Sequence, residues 1–341
     1  MVTTRLPVLR DPPVDHDDVG TWVASLGGPT WIVLSGDDAR RCRVVTTLLH
    51  GNEPSGVMAL HRWLATQPRP RTRLAVLVAN VGAALTPPHF THRSVPGERD
   101  LNRCFRPPHA GVSGVLAAAI AEDIQAWAPE CVIDMHNTSG NGPSFAVATV
   151  RDPFLERLAG QFCDRLIVTD FRLGSLMELP LVVPALAPCP MLTLECGGAL
   201  QPAAREVAGT VFRRLAEWSD LTALEPHPDL DVLVHPLRVE LRPGASIAYA
   251  REPQPGVDVT LWARIDEHNR GLTLPDTFLG WLGEEGLACL QACDARGQDH
   301  LHELLCERQG RLYPRCPMRL FMATTNVEIA RSDCLFYSVP L

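Results

Sequence analysis

The sequence contains no lysine, so all 31 of its strongly basic side chains are arginine. That excludes chemistry through a lysine Schiff base and phosphate binding by a P-loop lysine. A codon bias toward arginine would produce the same absence. The chemical consequence holds either way: carboxylate recognition falls to guanidinium groups, whose planar fork suits it. Long apolar runs are also missing. None approaches the roughly 18 residues of a transmembrane helix, and the opening MVTTRLPVLRDPPVDHDDVG lacks the apolar core of an export signal. The 11 cysteines are scattered and odd in number, with no CxxC pair. Without an export signal they read as free thiols in a reducing cytoplasm. Cys42, Cys131 and Cys196 lie in or beside apolar runs and read as small buried hydrophobes. A net charge of −8 argues against general nucleic-acid binding. Internal repeats and low-complexity stretches are absent.

What is present fits a globular chain of two domains. There are 341 residues, 46% of them hydrophobic, enough for a sizeable core. Residues 1–29 are rich in Pro and Asp and read as a lead-in. From Trp31, strand-like runs (WIVLS, RCRVVTTLLH, RLAVLVAN, CVIDMH, SFAVATV, RLIVTD, PMLTLE) alternate with helical ones (SGVMALHRWLATQ, GVLAAAIAEDIQAWA, AAREVAGTVFRRLAEW). Residues 81–111, with five prolines, read as a long loop, and such loops inside a compact domain are often functional. The alternation predicts an α/β sheet covered on both faces. A Pro/Asp linker follows near 219–232. Beyond it the short strand-like pieces broken by Gly and Pro predict a smaller β-rich domain.

Among the strand-like runs that end in an ionisable residue are RVVTTLLH with His50, CVIDMH with His136 and PMLTLE with Glu195. Ligands of open α/β sheets gather beyond the carboxyl ends of the strands, so distant positions can meet at one rim. Glu53 follows His50 by three positions, where Pro54 suits the first turn of a helix. His50, Glu53 and His136 then make a set of two imidazoles and a carboxylate. Catalytic zinc takes three such ligands and keeps a fourth position open, as hydrolysis needs. Each residue alone has an ordinary alternative. Glu53 is acceptable as a first-turn helix acid, and His136 as a core histidine bonded to backbone. Glu195 is harder to dismiss, because an unpaired buried carboxylate costs on the order of several kcal/mol. Asp134, two positions before His136 and on the same strand face, suits either a carboxylate that orients a ligand histidine or a plain structural hydrogen bond.

The segments HGNEPSG, ERDLNRCF, DMHNTSG and LTLECGG, in this order and spacing, resemble the four signatures of the succinylglutamate desuccinylase/aspartoacylase family, over roughly residues 30–220. That family belongs to the zinc-carboxypeptidase fold group. The resemblance implies a mixed sheet with helices on both faces in a catalytic domain spanning 1–225. It also implies a smaller β-rich domain over 226–341, laid out as a cap for the active site. One zinc ion per chain would be held by His50, Glu53 and His136. Glu195 would be the general base, taking a proton from water and passing it to the leaving amine. Asn102 and Arg103 would bind the substrate carboxylate. Arg93 would polarise the scissile carbonyl, in preference to Arg99, which lies too close to the DLNR segment. The chain departs from the pattern in one respect. Aspartoacylases carry an arginine shortly before the catalytic glutamate, whereas LGSLMELPLVVPALAPCPMLTLE has none and is apolar. A small or fatty acyl chain fits that stretch better than a dicarboxylate.

The expected function is therefore a cytoplasmic, zinc-dependent amidohydrolase that removes an acyl group from an N-acylated amino acid or a related small amine. Its partner would be a small molecule, neither nucleic acid nor membrane, and a homo-oligomer is compatible with the sequence. Two other readings are a zinc carboxypeptidase for short peptides and a non-catalytic zinc-binding module. A cysteine hydrolase through Cys196 has no histidine placed beside it in the sequence to activate the thiol.

Overall fold

The computed structural model describes residues 5–14 and 16–341, so residues 1–4 and 15 of the expected lead-in lie outside the described residues. The rest of that lead-in is not irregular. Strand β1 (Val8–Arg10) pairs parallel with β2 (Thr30–Leu34). Between them runs helix α1 (Val19–Ser25), which buries Trp22 and Val23. Asp18 caps α1 by accepting the Thr21 amide at 2.7 Å. The cap and the two apolar residues were present in the sequence, masked by the surrounding prolines and aspartates.

The chain continues through β3 (Asp38–Thr47), α2 (Ser55–Leu64), β4 (Thr72–Val78), α3 (Val81–Leu85), α4 (Gly111–Trp127), β5 (Val132–Thr138), β6 (Phe145–Ala148), α5 (Pro153–Ala159), β7 (Arg165–Val168), α6 (Leu179–Val182), β8 (Met191–Gly198), α7 (Pro202–Glu217) and β9 (Asp231–Val234). The nine strands form one sheet in the order β1-β2-β4-β3-β5-β8-β6-β7-β9. It is mixed: β3 is parallel to β4 and β5, whereas β2–β4 and β6–β8 are antiparallel. Strand alternation divides the core. Trp31, Val33, Val44, Ala75, Leu77 and Val132 share one cluster with Ala117, Ile120 and Ile124 of α4. Their chain neighbours Ile32, Val45, Val76 and Ile133 are equally buried and face the other way. Helices α2 and α7 pack on each other, with Trp63 stacked on Phe212 at 5.5 Å between ring centres.

One polar contact inside this core carries a stability prediction. Asp123 of α4, itself buried, accepts the indole N–H of fully buried Trp31 at 2.9 Å. Asp123→Ala leaves that donor without its partner and is expected to lower the unfolding free energy by about 2 kcal/mol, read by urea titration. Asp123→Asn, which keeps an acceptor, should lose less.

By its contacts the chain divides into two compact units. The first is Met1–Asn137, Ser144–Leu166 and Arg172–Asp231; the second is Thr138–Pro143, Ile167–Phe171 and Val232–Leu341. The second unit is β-rich, as expected. Strands β10 (Leu237–Leu241), β11 (Ile247–Ala250), β12 (Val259–Trp262), β13 (Gly280–Leu282), β14 (Leu290–Cys293), β15 (Leu305–Arg308), β16 (Arg311–Pro314), β17 (Met318–Phe321) and β18 (Phe336–Pro340) follow the first unit in the chain. They make a four-stranded sheet, β14-β10-β18-β17, and a five-stranded one, β11-β12-β13-β16-β15. Val239, Leu261, Leu290, Leu312 and Phe336 anchor their shared core. Among the described residues no helix is long and apolar enough to cross a membrane.

Candidate metal and catalytic site

The three motif-bearing strands carry their ionisable residues to one region, but not all at their last positions. Strand β3 stops at Thr47, and Leu48 takes a left-handed φ of 61° that turns the chain. His50 therefore sits in the turn, beyond the strand. His136 lies inside β5, two residues before its end, and Glu195 lies inside β8, three before its end. The turn is tight against the strand it leaves. A Cβ on Gly56, in the first turn of α2, would collide with the Thr47 hydroxyl, so this helix start admits only glycine. That closeness brings Glu53 back over the sheet.

His50, Glu53 and His136 are buried and offer one donor atom each within 4.8 Å of one another. Glu53 lies between the two rings: Oε1 is 2.8 Å from His50 Nδ1, and Oε2 is 2.7 Å from His136 Nδ1. The far nitrogen of each ring meets another carboxylate. His50 Nε2 is 3.0 Å from Asp100 Oδ1, and His136 Nε2 is 2.8 Å from Asp134 Oδ2. Asp134 is fixed in turn by the Thr46 hydroxyl, which donates at 2.5 Å. The backbone N–H of Asn137 donates to Glu53 Oε2 at 3.1 Å. Both imidazoles thus present Nδ1 to the common centre, held there by carboxylates at Nε2, the arrangement found around metal-binding histidines. Two imidazole nitrogens and a carboxylate, buried and converging, are a donor set that fits a divalent ion with borderline preferences such as zinc.

The charges in this cluster hold one another. Burial alone would raise the Glu53 carboxyl, but the His50 and His136 rings keep it well below its usual range. Burial would lower His136, and Asp134 with Glu53 holds it well above. Asp100 is likewise pulled down, against burial, by His50 and Arg93. Asp134 thus meets His136, a pairing the sequence left open. Asp100, the partner of His50, was not foreseen. Its only sequence signal was its place before Leu101 in the DLNR segment, where it also caps the short 3-10 turn by accepting the Asn102 amide at 2.8 Å.

Glu195 stands on β8, the neighbour of β5, and is antiparallel-paired with Phe145. It is 7% exposed, and its Oε2 has no hydrogen-bond partner among the described residues. Burial pushes its carboxyl up to about 7. A buried carboxylate with one uncommitted oxygen and a pKa near neutrality has the properties of a general base. Cys196, next to it, does not have those of a nucleophile, because burial drives its thiol far up.

Arg93 reaches Asp100 Oδ2 through NH2 at 2.9 Å, and its NH1 is 3.6 Å from Glu53 Oε1. Arg99 points elsewhere, to the Arg103 carbonyl at 3.4 Å. Asn102 is buried, its Oδ1 accepting the Leu176 amide at 2.9 Å and its amide nitrogen 3.5 Å from His136 Nε2. Arg103 is half-buried and folds its NH1 onto the Asn102 carbonyl at 3.0 Å. The apolar stretch before Glu195 is largely consumed by packing: Leu176, Leu179 and Leu186 join Leu101, Cys104 and Phe105 in the core.

Residues 44–167 match the succinylglutamate desuccinylase/aspartoacylase catalytic domain. A search of curated proteins found no match. Among solved structures, a succinylglutamate desuccinylase/aspartoacylase from Rhodobacter sphaeroides is similar at 15% identity and a TM-score of 0.54, covering 91% of this chain and 87% of that one. A succinylglutamate desuccinylase from a Silicibacter species is similar at 14% identity and a TM-score of 0.56, covering 91% and 88%. The ectoine utilization protein EutE (DoeB) from Ruegeria pomeroyi is similar at 14% identity and a TM-score of 0.54, covering 90% and 87%. Residues 44–167 are thus similar to the succinylglutamate desuccinylase/aspartoacylase catalytic domain, and the chain shares the fold of these solved structures.

Proposed function

We propose that the protein is a zinc-dependent amidohydrolase that removes an acyl group from an N-acylated amino acid or a related small amine, in the cytoplasm. The observation that carries this reading is the pairing of a buried His50–Glu53–His136 donor set with a buried carboxylate on the neighbouring strand, Glu195, whose Oε2 has no hydrogen-bond partner among the described residues. One zinc ion per chain, when bound, supplies Lewis acidity that polarises a carbonyl and acidifies water.

The chain's own residues do the rest. Asp100 and Asp134 keep the two imidazoles turned so that Nδ1 faces the centre. Glu195 Oε2 takes the proton of the attacking water, and the same oxygen delivers it to the departing nitrogen. A pKa near 7 suits both halves of that transfer. Arg93 supplies positive charge where the carbonyl oxygen becomes anionic. Asn102 and Arg103 receive the carboxylate of the amino-acid part through N–H donors, for which a guanidinium is the only strongly basic group in this lysine-free chain.

The test is amine release from a panel of N-acyl amino acids and N-acyl diamines, on zinc-loaded protein with and without a chelator. Release from one subset that the chelator stops and added zinc restores is the expected result. Zinc binding with no release from any member sinks the reading and favours short peptides or a binding module. Within a responsive subset, Arg93→Ala is expected to lower kcat by about 10²-fold, from lost stabilisation of the developing oxyanion, with a smaller change in KM.

A further inference from the structure

Glu178 is a buried acid outside the cluster just described. It is 1% exposed, and one of its oxygens, Oε1, accepts four hydrogen bonds: from the amides of Leu173 at 2.8 Å, Gly174 at 2.9 Å and Ser175 at 3.1 Å, and from the Ser175 hydroxyl at 3.0 Å. Its other oxygen, Oε2, has no hydrogen bond among the described residues; Arg106 NH1 is 4.0 Å away. The loop gathered on Oε1 lies directly on the DLNR segment. The Gly174 carbonyl accepts the Phe105 amide at 2.9 Å, and the Leu176 amide donates to Asn102 Oδ1 at 2.9 Å. Gly174 has φ +79°, and a Cβ there would stand 2.9 Å from the Arg103 carbonyl oxygen.

We infer that Glu178 is a positioning residue for Asn102 and Arg103, acting through the loop Leu173–Leu176 that it gathers. The inference rests on the proposed role of those two residues in holding the substrate carboxylate. Packing does not require this acid. Leu176 and Leu179 already tie the segment into the core beside Leu101 and Phe105. A buried carboxylate with an uncommitted oxygen is costly, and what it supplies is a single acceptor that holds three consecutive amides in one arrangement. That arrangement sets the Leu176 N–H against Asn102 Oδ1, which turns the Asn102 amide nitrogen toward His136. It also braces the backbone of Arg103, and so the root of its guanidinium.

The decisive measurement is hydrogen exchange, followed by mass spectrometry, of the full protein and of Glu178→Ala and Glu178→Gln. Glu178→Ala is expected to speed exchange of the Phe105 and Leu176 amides by about tenfold or more, with the strands carrying His136 and Glu195 unchanged. Glu178→Gln keeps the acceptor and should stay within about threefold of the parent. Unchanged exchange in Glu178→Ala, or a uniform rise across the whole unit, overturns the inference whatever the substrate. On a substrate that turns over, Glu178→Ala should raise KM about tenfold with kcat within about threefold, and in an Arg103→Ala background it should change KM less than about twofold. Additive effects on KM overturn it equally. Absence of turnover in the parent protein counts against the proposed reaction alone, and the exchange experiment then decides by itself.

Discussion

Glu195→Gln is expected to lower kcat by about 10³-fold while the metal stays bound, with stoichiometry read by elemental analysis beside the rate. The glutamine keeps the shape and removes the proton acceptor, so binding and chemistry separate. If the variant retains most of the activity, Glu195 is not the base. The pH dependence follows from burial. The carboxyl is pushed up to about 7 from an ordinary 4.5. As a base it must be ionised, so activity in the parent falls as pH drops through this region, and a bound cation nearby moves that acid limb to lower pH. The same shift bears on stability. The folded, metal-free protein holds this proton more tightly than the unfolded chain does. The group therefore costs nothing below its ordinary value, costs progressively more as pH rises toward 7, and costs most above it. Glu195→Gln removes that cost, so the metal-free variant should melt above the metal-free parent at pH 8 and match it at pH 4.

Glu53→Ala is expected to abolish metal binding and, with it, activity. Glu53 is the one anion between the two Nδ1 atoms, and both of its oxygens are committed there. Without it two imidazoles remain, fewer than the three protein ligands that catalytic zinc takes. Asp134→Asn tests the layer behind. It keeps a polar group near His136 Nε2 but removes the charge, and should weaken metal affinity by about 10- to 100-fold, measured by competition with a chelating dye. Glu53→Ala protein that still binds one ion per chain would place the metal elsewhere.

The legibility of this site follows from where its residues sit. His50, Glu53, His136 and Glu195 stand at or just beyond strands, where a turn demands glycine, asparagine or proline nearby, so chemistry and local geometry leave one joint pattern in the sequence. Strand alternation also made Asp134 readable, since residues two apart share a face. Asp100 was not readable as the partner of His50. That contact closes a span of 50 residues through an irregular loop with no periodicity to betray it. Glu178 was hidden for another reason. It lies in an apolar stretch, and the three amides it gathers belong to backbone, which the sequence does not name. The fold was legible where apolar periodicity was strong, in β2 to β5 and in α2, α4 and α7. It was not legible in the three-residue strand β1, which buries none of its side chains and is held by pairing alone.

The cysteines have a consequence for how the proposed ion would be acquired. Nine of the eleven thiols are buried and the other two are partly covered. In the folded protein an ion held as proposed would meet nitrogen and oxygen donors. In the unfolded chain it meets eleven thiols that bind zinc well, and binding to the unfolded state subtracts from the stabilisation a metal gives. Assembly is therefore a matter of sequence in time. On the proposed reading, a chain that closes over its sulfurs before it meets zinc would keep the ion for His50, Glu53 and His136, whereas one loaded while still open would first have to surrender it from thiolate.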